Sequence, residues 1–348
     1  MRANKKVLIA ILSYNGMPYL RDCLDTVCSQ NYEPYDMIVI DNASKDGSLQ
    51  FVRKNYPKVK TIENHENLGF AKGFNSGVSS VLAKRKSRYK YVAFLMQDVK
   101  VDSNWLSELV KVMDRHEEVA LSQSLILNWD GSKIDDDGGL LDPLGYTRPR
   151  NLGKDATQVD LRKPYRIFYA TGGAMLLRIM PSSPLNRDLF DPIFGTYCED
   201  IDLSWRLRLQ GYDIICVPTS KVFHKNPFAT RSIGGTGTAM RMFLSERNGL
   251  IYLTKNLSTR NLIKYIPLSI AFRFAVGISM LLYSPTAAKA RIKGLLSFLT
   301  KDFKVVWINR LETQRLRVVS DEKILRYSKG NRLRVATSMI KSLFQSSS

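Results

Sequence analysis

The sequence is poor in cysteine, with four in 348 residues. Cys23, Cys28, Cys198 and Cys216 make no CxxC pair and no dense framework, which excludes a disulfide scaffold. They read as reduced thiols of an intracellular protein. Two phosphate-binding signatures are also missing, the GxxxxGKS/T loop and the GxGxxG fingerprint. A nucleotide ligand would need metal and scattered basic groups to neutralise its diphosphate. No RNA-binding motif or base-stacking set of aromatics is present. A signal-peptide core is lacking too: the apolar run VLIAIL after MRANKK is short and leads into the turn SYNG, so it reads as a buried first strand. What is there, 44% apolar and 24% charged residues, is ordinary for a globular protein and rules out a disordered or collagen-like chain.

Charge is unevenly spread. The net charge is +20, and residues 260–348 hold 17 Lys and Arg against 4 Asp and Glu. A basic end of this kind points to an anionic partner, a lipid surface or a nucleic acid.

Hydrophobic patterning predicts strands at 7–13, 36–40 and 91–98, with a shorter one before Glu63. Helices are expected over 17–30, 48–56, 70–84 and 103–115. Strand, helix, strand, helix with short connections predicts right-handed βαβ units and a mostly parallel, Rossmann-like sheet. The second half is less regular. It offers strands at 119–127 and 168–178, a Gly-, Asp- and Pro-rich excursion over 128–165, a helix over 200–210 and a last strand, IICVP, before His224. In such sheets ligands bind outside the carboxyl ends of the strands. The loops to inspect are therefore Ser13–Gly16, Asp41–Gly47, Glu63–Gly69 and Gln97–Asp102.

Asp41 ends a strand, where a carboxylate accepts hydrogen bonds from a base or ribose. An Asx turn linking strand to helix is the plainer alternative. Asp98 follows four apolar positions and stands at the sheet's mouth, where it suits a divalent cation bridging phosphates. Asp102 and Ser103 read as helix caps. The adjacent acids Asp135, Asp136 and Asp137 lack calcium-loop spacing and read as a loop near the sugar or acceptor.

Taken together, VLIAILSYNG, IVIDNASKDGS, ENLGFAKGFNSGV, FLMQDVKVDSNWL, ATGGAMLLR, EDIDLSWRLRLQGY and His224 resemble the family 2 glycosyltransferases, inverting enzymes of the GT-A fold. The nearest likeness is to the rhamnosyltransferase-like branch. It covers roughly residues 7–225, and the ordered set is far more specific than any one stretch. The resemblance implies a nucleotide-sugar donor (dTDP-, UDP- or GDP-linked), a divalent metal (Mg²⁺ or Mn²⁺) and a hydroxyl acceptor on a glycan or lipid-linked saccharide. It implies that Ser13, Tyr14, Asn15 and Asp41 hold the nucleoside. Asn67, Gly69, Lys72, Asn75, Gln97 and Gly173 belong to the same donor site, and Asp98 with His224 sits at the metal and diphosphate. One position departs: the family's usual Asp or Asn two residues before the metal-binding Asp is here Met96, which leaves metal independence open.

Inverting transfer needs a base for the acceptor hydroxyl. Asp202 lies four residues before Arg206, so the two can pair along a helix. Glu199 and Asp200 fall in the helix's first turn, where exposed N–H groups stabilise carboxylates. The resemblance carries the base onto Asp200. Glu199, Asp202, Trp205 and Arg206 are then acceptor-side or positioning residues, although for Trp205 packing in the core on the sheet is the favoured reading over lining an acceptor sugar.

The expected organisation is a GT-A domain over 1–256 and a basic, amphipathic helical region over 257–348. Residues 262–283 are long enough to span a membrane, but Arg273 at the middle costs about 2.5–3.5 kcal/mol on insertion scales. Tyr265, Ser269, Arg273 and Gly277 form a narrow polar stripe. The reading favoured is a helix in the interface of an anionic membrane at the cytoplasmic face, peripheral or monotopic. Spanning and a core or homo-oligomer contact are the alternatives. Two rival functions are a catalytically inactive sugar-nucleotide binder and a nucleic-acid-binding protein. The latter leaves Asp41, Asp98 and Asp200 unexplained, so no nucleic-acid partner is expected.

Overall fold

The computed structural model describes residues 6–85, 88–180, 188–225, 236–282 and 284–328. The end of the basic tail, 329–348, lies outside the described residues. The chain divides into two compact units. One comprises Met1–Gly139, Pro149–Ser204 and Tyr212–Arg231, the other Leu140–Arg148, Trp205–Gly211 and Ser232–Ser348.

The first unit begins as alternating strands and helices: β1 (Lys6–Ser13), α1 (Leu20–Cys28), β2 (Tyr35–Asp41), α2 (Ser48–Asn55), β3 (Lys60–Glu63), α3 (Gly69–Arg85) and β4 (Tyr89–Met96). β5 (Val99–Val101), α4 (Trp105–Arg115), β6 (Val119–Asn128) and β7 (Ile134–Asp136) follow. A small hairpin, β8 (Gly139–Leu141) and β9 (Thr147–Pro149), precedes β10 (Tyr165–Arg166), β11 (Ala174–Arg178), α5 (Glu199–Leu209) and β12 (Asp213–His224).

The main sheet runs β10-β12-β6-β11-β4-β1-β2-β3. β3, β2, β1 and β4 are parallel neighbours, while β11 enters antiparallel between β4 and β6. The sheet is thus mixed but mostly parallel, with helices against it. Val7 to Ser13 and Met37 to Asp41 are buried without alternation, as strands covered on both faces must be. Helix α3 carries Gly77 because it packs hard on β2: a Cβ there would lie 2.3 Å from Ile40 Cδ1. The glycine that weakens the helix in isolation is what lets it approach the sheet.

Two elements differ from expectation. β11 begins only at Ala174, because Thr171–Gly173 form a turn. β12 runs on through His224, so this histidine is part of the strand and is held by its pairing with Asn128 of β6 and Val99 of β5.

The second unit is helical: α6 (Thr236–Asn256), α7 (Thr259–Ser279), α8 (Pro285–Ser297), α9 (Phe303–Arg315) and α10 (Asp321–Leu325). A π-helical stretch, Phe298–Asp302, joins α8 to α9 as one continuous path. Arg247 of α6 clamps that stretch through paired contacts to Asp302 at 2.7 and 2.8 Å. The polar stripe of α7 faces inward. Ser269 Oγ donates to the Leu144 carbonyl at 2.7 Å, and Arg273 is buried against the Gly145 carbonyl (2.7 Å), Glu246 and the Tyr146 ring. Arg291 of α8 binds the same Glu246. Arg273 is therefore paired with protein groups inside the unit.

Candidate active site

The carboxyl ends of β1, β2 and β4 are tied together by side chains. Gln97 Oε1 accepts from Ser13 Oγ at 2.8 Å and from the Tyr14 N–H at 2.9 Å, and Gln97 Nε2 donates to the Tyr14 carbonyl at 3.0 Å. Asn15 holds a left-handed backbone (φ 48°), uncommon outside glycine. Its N–H donates to Ser44 Oγ, and its Oδ1 accepts from the Lys45 N–H, both at 2.9 Å. Asp41 is buried, and its Oδ2 accepts from the Ser44 N–H at 3.0 Å. The Asx turn weighed for Asp41 is thus present, and it shapes the loop that meets Asn15. Tyr14 remains well exposed beside this frame.

Next to it lies an amide network in which Asn42 and Asn64, which sequence reasoning missed, join the expected Asn67 and Gly69. Asn42 donates to the Gly69 carbonyl at 3.0 Å and to Asn67 Oδ1 at 3.3 Å, and it accepts from Asn64 at 2.8 Å. Asn67 Oδ1 also accepts from the Gly69 N–H at 3.0 Å, fixing the start of α3. Lys72 is exposed on that helix. Asn75 departs from its expected donor-binding role. It is buried, and both ends of its amide hold the Phe190 backbone, at 2.6 and 3.1 Å.

At the end of β4, Asp98 Oδ2 stands 3.2 Å from His224 Nε2, while His224 Nδ1 lies 2.8 Å from Asp135 Oδ2. Burial opposes a charge on His224, but the hydrogen bonds to Asp135 and Asp98 outweigh it and push the imidazole up to about 9. The acidic triplet separates into three tasks. Asp135 orients His224. Asp136, pushed up to about 6 by burial, binds Gln123, Thr171 and the Gly138 N–H. Asp137 is fully buried and ties down Asn151 and Tyr165. Adjacent acids on one short strand end face different ways, so the triplet is not one ligand cluster.

The ATGGA stretch joins this end of the sheet to the α5 acids. Thr171 is anchored by Gln123 and Asp136. The Gly173 carbonyl accepts from the Met96 N–H at 3.3 Å, and the Gly172 N–H donates to Asp200 Oδ2 at 2.9 Å. Asp200 therefore stands one hydrogen-bonded turn from the β4 end that carries Asp98. A Cβ at Gly173 would meet only Met96 Cγ, at 4.0 Å.

Two consecutive left-handed residues, Tyr197 (φ 73°) and Cys198 (φ 72°), turn the chain into α5. Such strain at non-glycine residues concentrates at functional sites. Beyond the turn, Glu199 is buried, and its Oε2 has no hydrogen-bond partner among the described residues. Burial, with the neighbouring Asp200 carboxylate adding to it, holds Glu199 well above the usual range. Burial also raises Asp200, although the Gly172 and Ile201 N–H groups oppose it. The first-turn N–H groups expected to favour the ionised acids are outweighed by desolvation.

Asp202 and Arg206 are both buried. Trp205 is fully buried, with its ring 6.2 Å from that of Tyr252. It is a core residue and has no face to offer an acceptor sugar.

Among the described residues no group of three or more His, Cys, Asp and Glu is arranged as a metal cluster. The donors present still fit a cation held largely by its ligand's phosphates. Mg²⁺-like ions use one or two protein carboxylates, and a ligating histidine characteristically gives its other ring nitrogen to a carboxylate, as His224 does to Asp135.

The Glycosyl transferase family 2 model matches residues 8–180. An N-acetylglucosaminyl-diphospho-decaprenol L-rhamnosyltransferase of Mycobacterium tuberculosis is 23% identical over 260 residues, 70% of this chain and 83% of that one. The rhamnosyltransferase WbbL of Escherichia coli K12 is 25% identical over 266 residues, 73% and 96%. Among solved structures, GalNAc-T7 with UDP, GalNAc and Mn2+ superposes at a TM-score of 0.56 and 14% identity, covering 88% of this chain and 58% of that one. Staphylococcus aureus TarS gives 0.50 at 15% identity, covering 89% and 54%. These likenesses share the GT-A fold.

Proposed function

The chain belongs to glycosyltransferase family 2, and we propose that it inverts the anomeric centre while moving a hexose, rhamnose the first candidate, from a nucleotide-sugar to a hydroxyl of a lipid-linked saccharide at the cytoplasmic face of the membrane. The observation that carries the reading is the hydrogen-bonded turn Met96–Gly173–Gly172–Asp200. It links a carboxylate raised by burial to the end of β4, where Asp98 faces His224 of β12. The rhamnosyltransferase relatives, one named for a diphospho-decaprenol acceptor, support the choice of sugar and acceptor.

Ser13, Tyr14, Asn15 and Asp41 frame the nucleoside in this reading, with Gln97 holding the frame shut. Asp98 and His224 would hold a divalent cation, Mg²⁺ or Mn²⁺, which supplies the positive charge a leaving diphosphate needs. Asp200 takes the acceptor's proton. Its burial raises its basicity, and the Gly172 N–H fixes the direction of its carboxylate. Glu199, raised by burial and by the adjacent Asp200 carboxylate, helps position the acceptor beside it. Asp202 and Arg206 support α5 from inside.

Donor hydrolysis and thermal shift across dTDP-, UDP- and GDP-sugars, each with and without Mn²⁺, test the proposal. Hydrolysis of one donor class is expected. Binding without turnover, under every metal condition and with acceptor present, would make the chain an inactive sugar-nucleotide binder instead.

A further inference from the structure

The path from Pro285 to Arg315 buries Arg291, Arg310 and Thr313 together with Ala287, Ala288, Leu295, Phe298 and Val306. Arg310 Nη1 donates to the Thr254 carbonyl at 2.7 Å, so its cation is spent inside. The outward face of the same path carries Leu296, Leu299, Phe303, Trp307 and Leu311, between 42% and 56% exposed. Within α9 the four-residue spacing of Phe303, Trp307 and Leu311 places these three on one stripe. Phe303 and Trp307 stack along it, with centroids 5.9 Å apart. In helix α7, Ser269 and Arg273 are buried with Leu262 and Val276, while Ile263, Leu268, Phe274 and Ile278 are exposed.

An outward apolar stripe of this size must be covered. The charges around it say by what. Lys289, Lys293, Lys301, Lys304 and Arg315 are exposed along the same path against the exposed Glu312, while Asp302 is held by Arg247. Two copies meeting stripe to stripe would bring these lysines together. An anionic bilayer matches both features, because headgroups meet lysines while Trp and Leu sink to the acyl boundary.

We infer that the helical path Pro285–Arg315 is a membrane-docking element. It lies in the plane of an anionic interface, with Trp307 and Leu311 immersed and Lys293 and Lys304 at the headgroups. This deepens the membrane-surface reading above and rests on it. It also assigns α7 to the interface, because Ser269 and Arg273 are tied to the unit's own backbone.

The test is flotation of the full chain with neutral phosphatidylcholine vesicles and with vesicles containing phosphatidylglycerol. Wild type should bind the anionic vesicles and leave them in alkaline carbonate. Trp307→Glu with Leu311→Glu should weaken binding by at least about 100-fold. Lys293→Gln with Lys304→Gln should weaken anionic binding by about fivefold per lysine and leave neutral binding unchanged. Donor hydrolysis by both variants, measured without vesicles, should match wild type and confirm folding. Three results would overturn the inference: vesicle binding indifferent to the stripe, retention after carbonate, or a dimer that the Glu pair splits with no vesicle binding. If docking follows the stripe but no donor is turned over, the enzymatic reading fails and the docking surface stands.

Discussion

Asp135 holds His224 by its Nδ1 at 2.8 Å, which leaves Nε2 facing Asp98 at 3.2 Å. The two residues are 89 positions apart. A strand end and a strand terminus meet because β7 and β12 both pair with β6. Removing the Asp135 charge while keeping its shape should loosen the imidazole without unfolding the sheet. For Asp135→Asn, the Mn²⁺ concentration giving half-maximal donor hydrolysis should rise by roughly 10–100-fold. An unchanged metal dependence would remove His224 from the metal site.

Asp200→Asn keeps one oxygen to accept from the Gly172 N–H but abolishes a base. Transfer should fall by about 10²–10⁴-fold, the usual worth of general base catalysis. The donor's dissociation constant should not move. Near-normal transfer would assign the base elsewhere.

The same residue sets a pH dependence. Burial raises Asp200, so its protonated, inactive form persists to higher pH than for an ordinary carboxyl. The acid limb of kcat/KM should therefore lie above the ordinary carboxylate range, with activity rising as pH climbs through it. A limb at or below that range contradicts the burial seen here.

Glu199 should reveal itself in stability. Its folded pKa lies well above the model-compound value of 4.5, so between those two values the folded state binds more protons than the unfolded one. Stability must fall as pH rises through that window. Glu199→Gln cannot ionise and removes the slope. Thermal denaturation should show the variant gaining on wild type as pH increases. Parallel curves would mean burial does not raise Glu199 as described.

Trp205→Ala distinguishes core from sugar platform. Emptying a fully buried site of this size should cost about 3–5 kcal/mol and lower the melting temperature. At temperatures where the variant is folded, its KM for the acceptor should stay near wild type. A selective rise in acceptor KM with an unchanged melting temperature would return Trp205 to the site.

Much of this was legible beforehand. Unbroken apolar runs specify strands buried on both faces, and each is followed by polar residues at the end where ligands bind. The ordered motifs from VLIAILSYNG to His224 identify the family. Burial at single residues was not legible. The four-residue spacing of Ser269, Arg273 and Gly277 is the same whether the stripe faces water, lipid or protein, and only the carbonyls of Leu144 and Gly145 decide. Trp205 and Glu199 likewise carry no mark of their surroundings.

The sequence by itself determined the sheet, the order of its loops and which acids stand near its mouth, because periodicity and turn chemistry act between neighbours in the chain. Tertiary structure decided the partners and the protonation. Asp135 reaches His224, Gly172 reaches Asp200, and desolvation overrides the helix-start N–H groups at Glu199. Hydrogen bonds across 28 and 89 residues, and the loss of water around a carboxyl, depend on what the fold brings alongside.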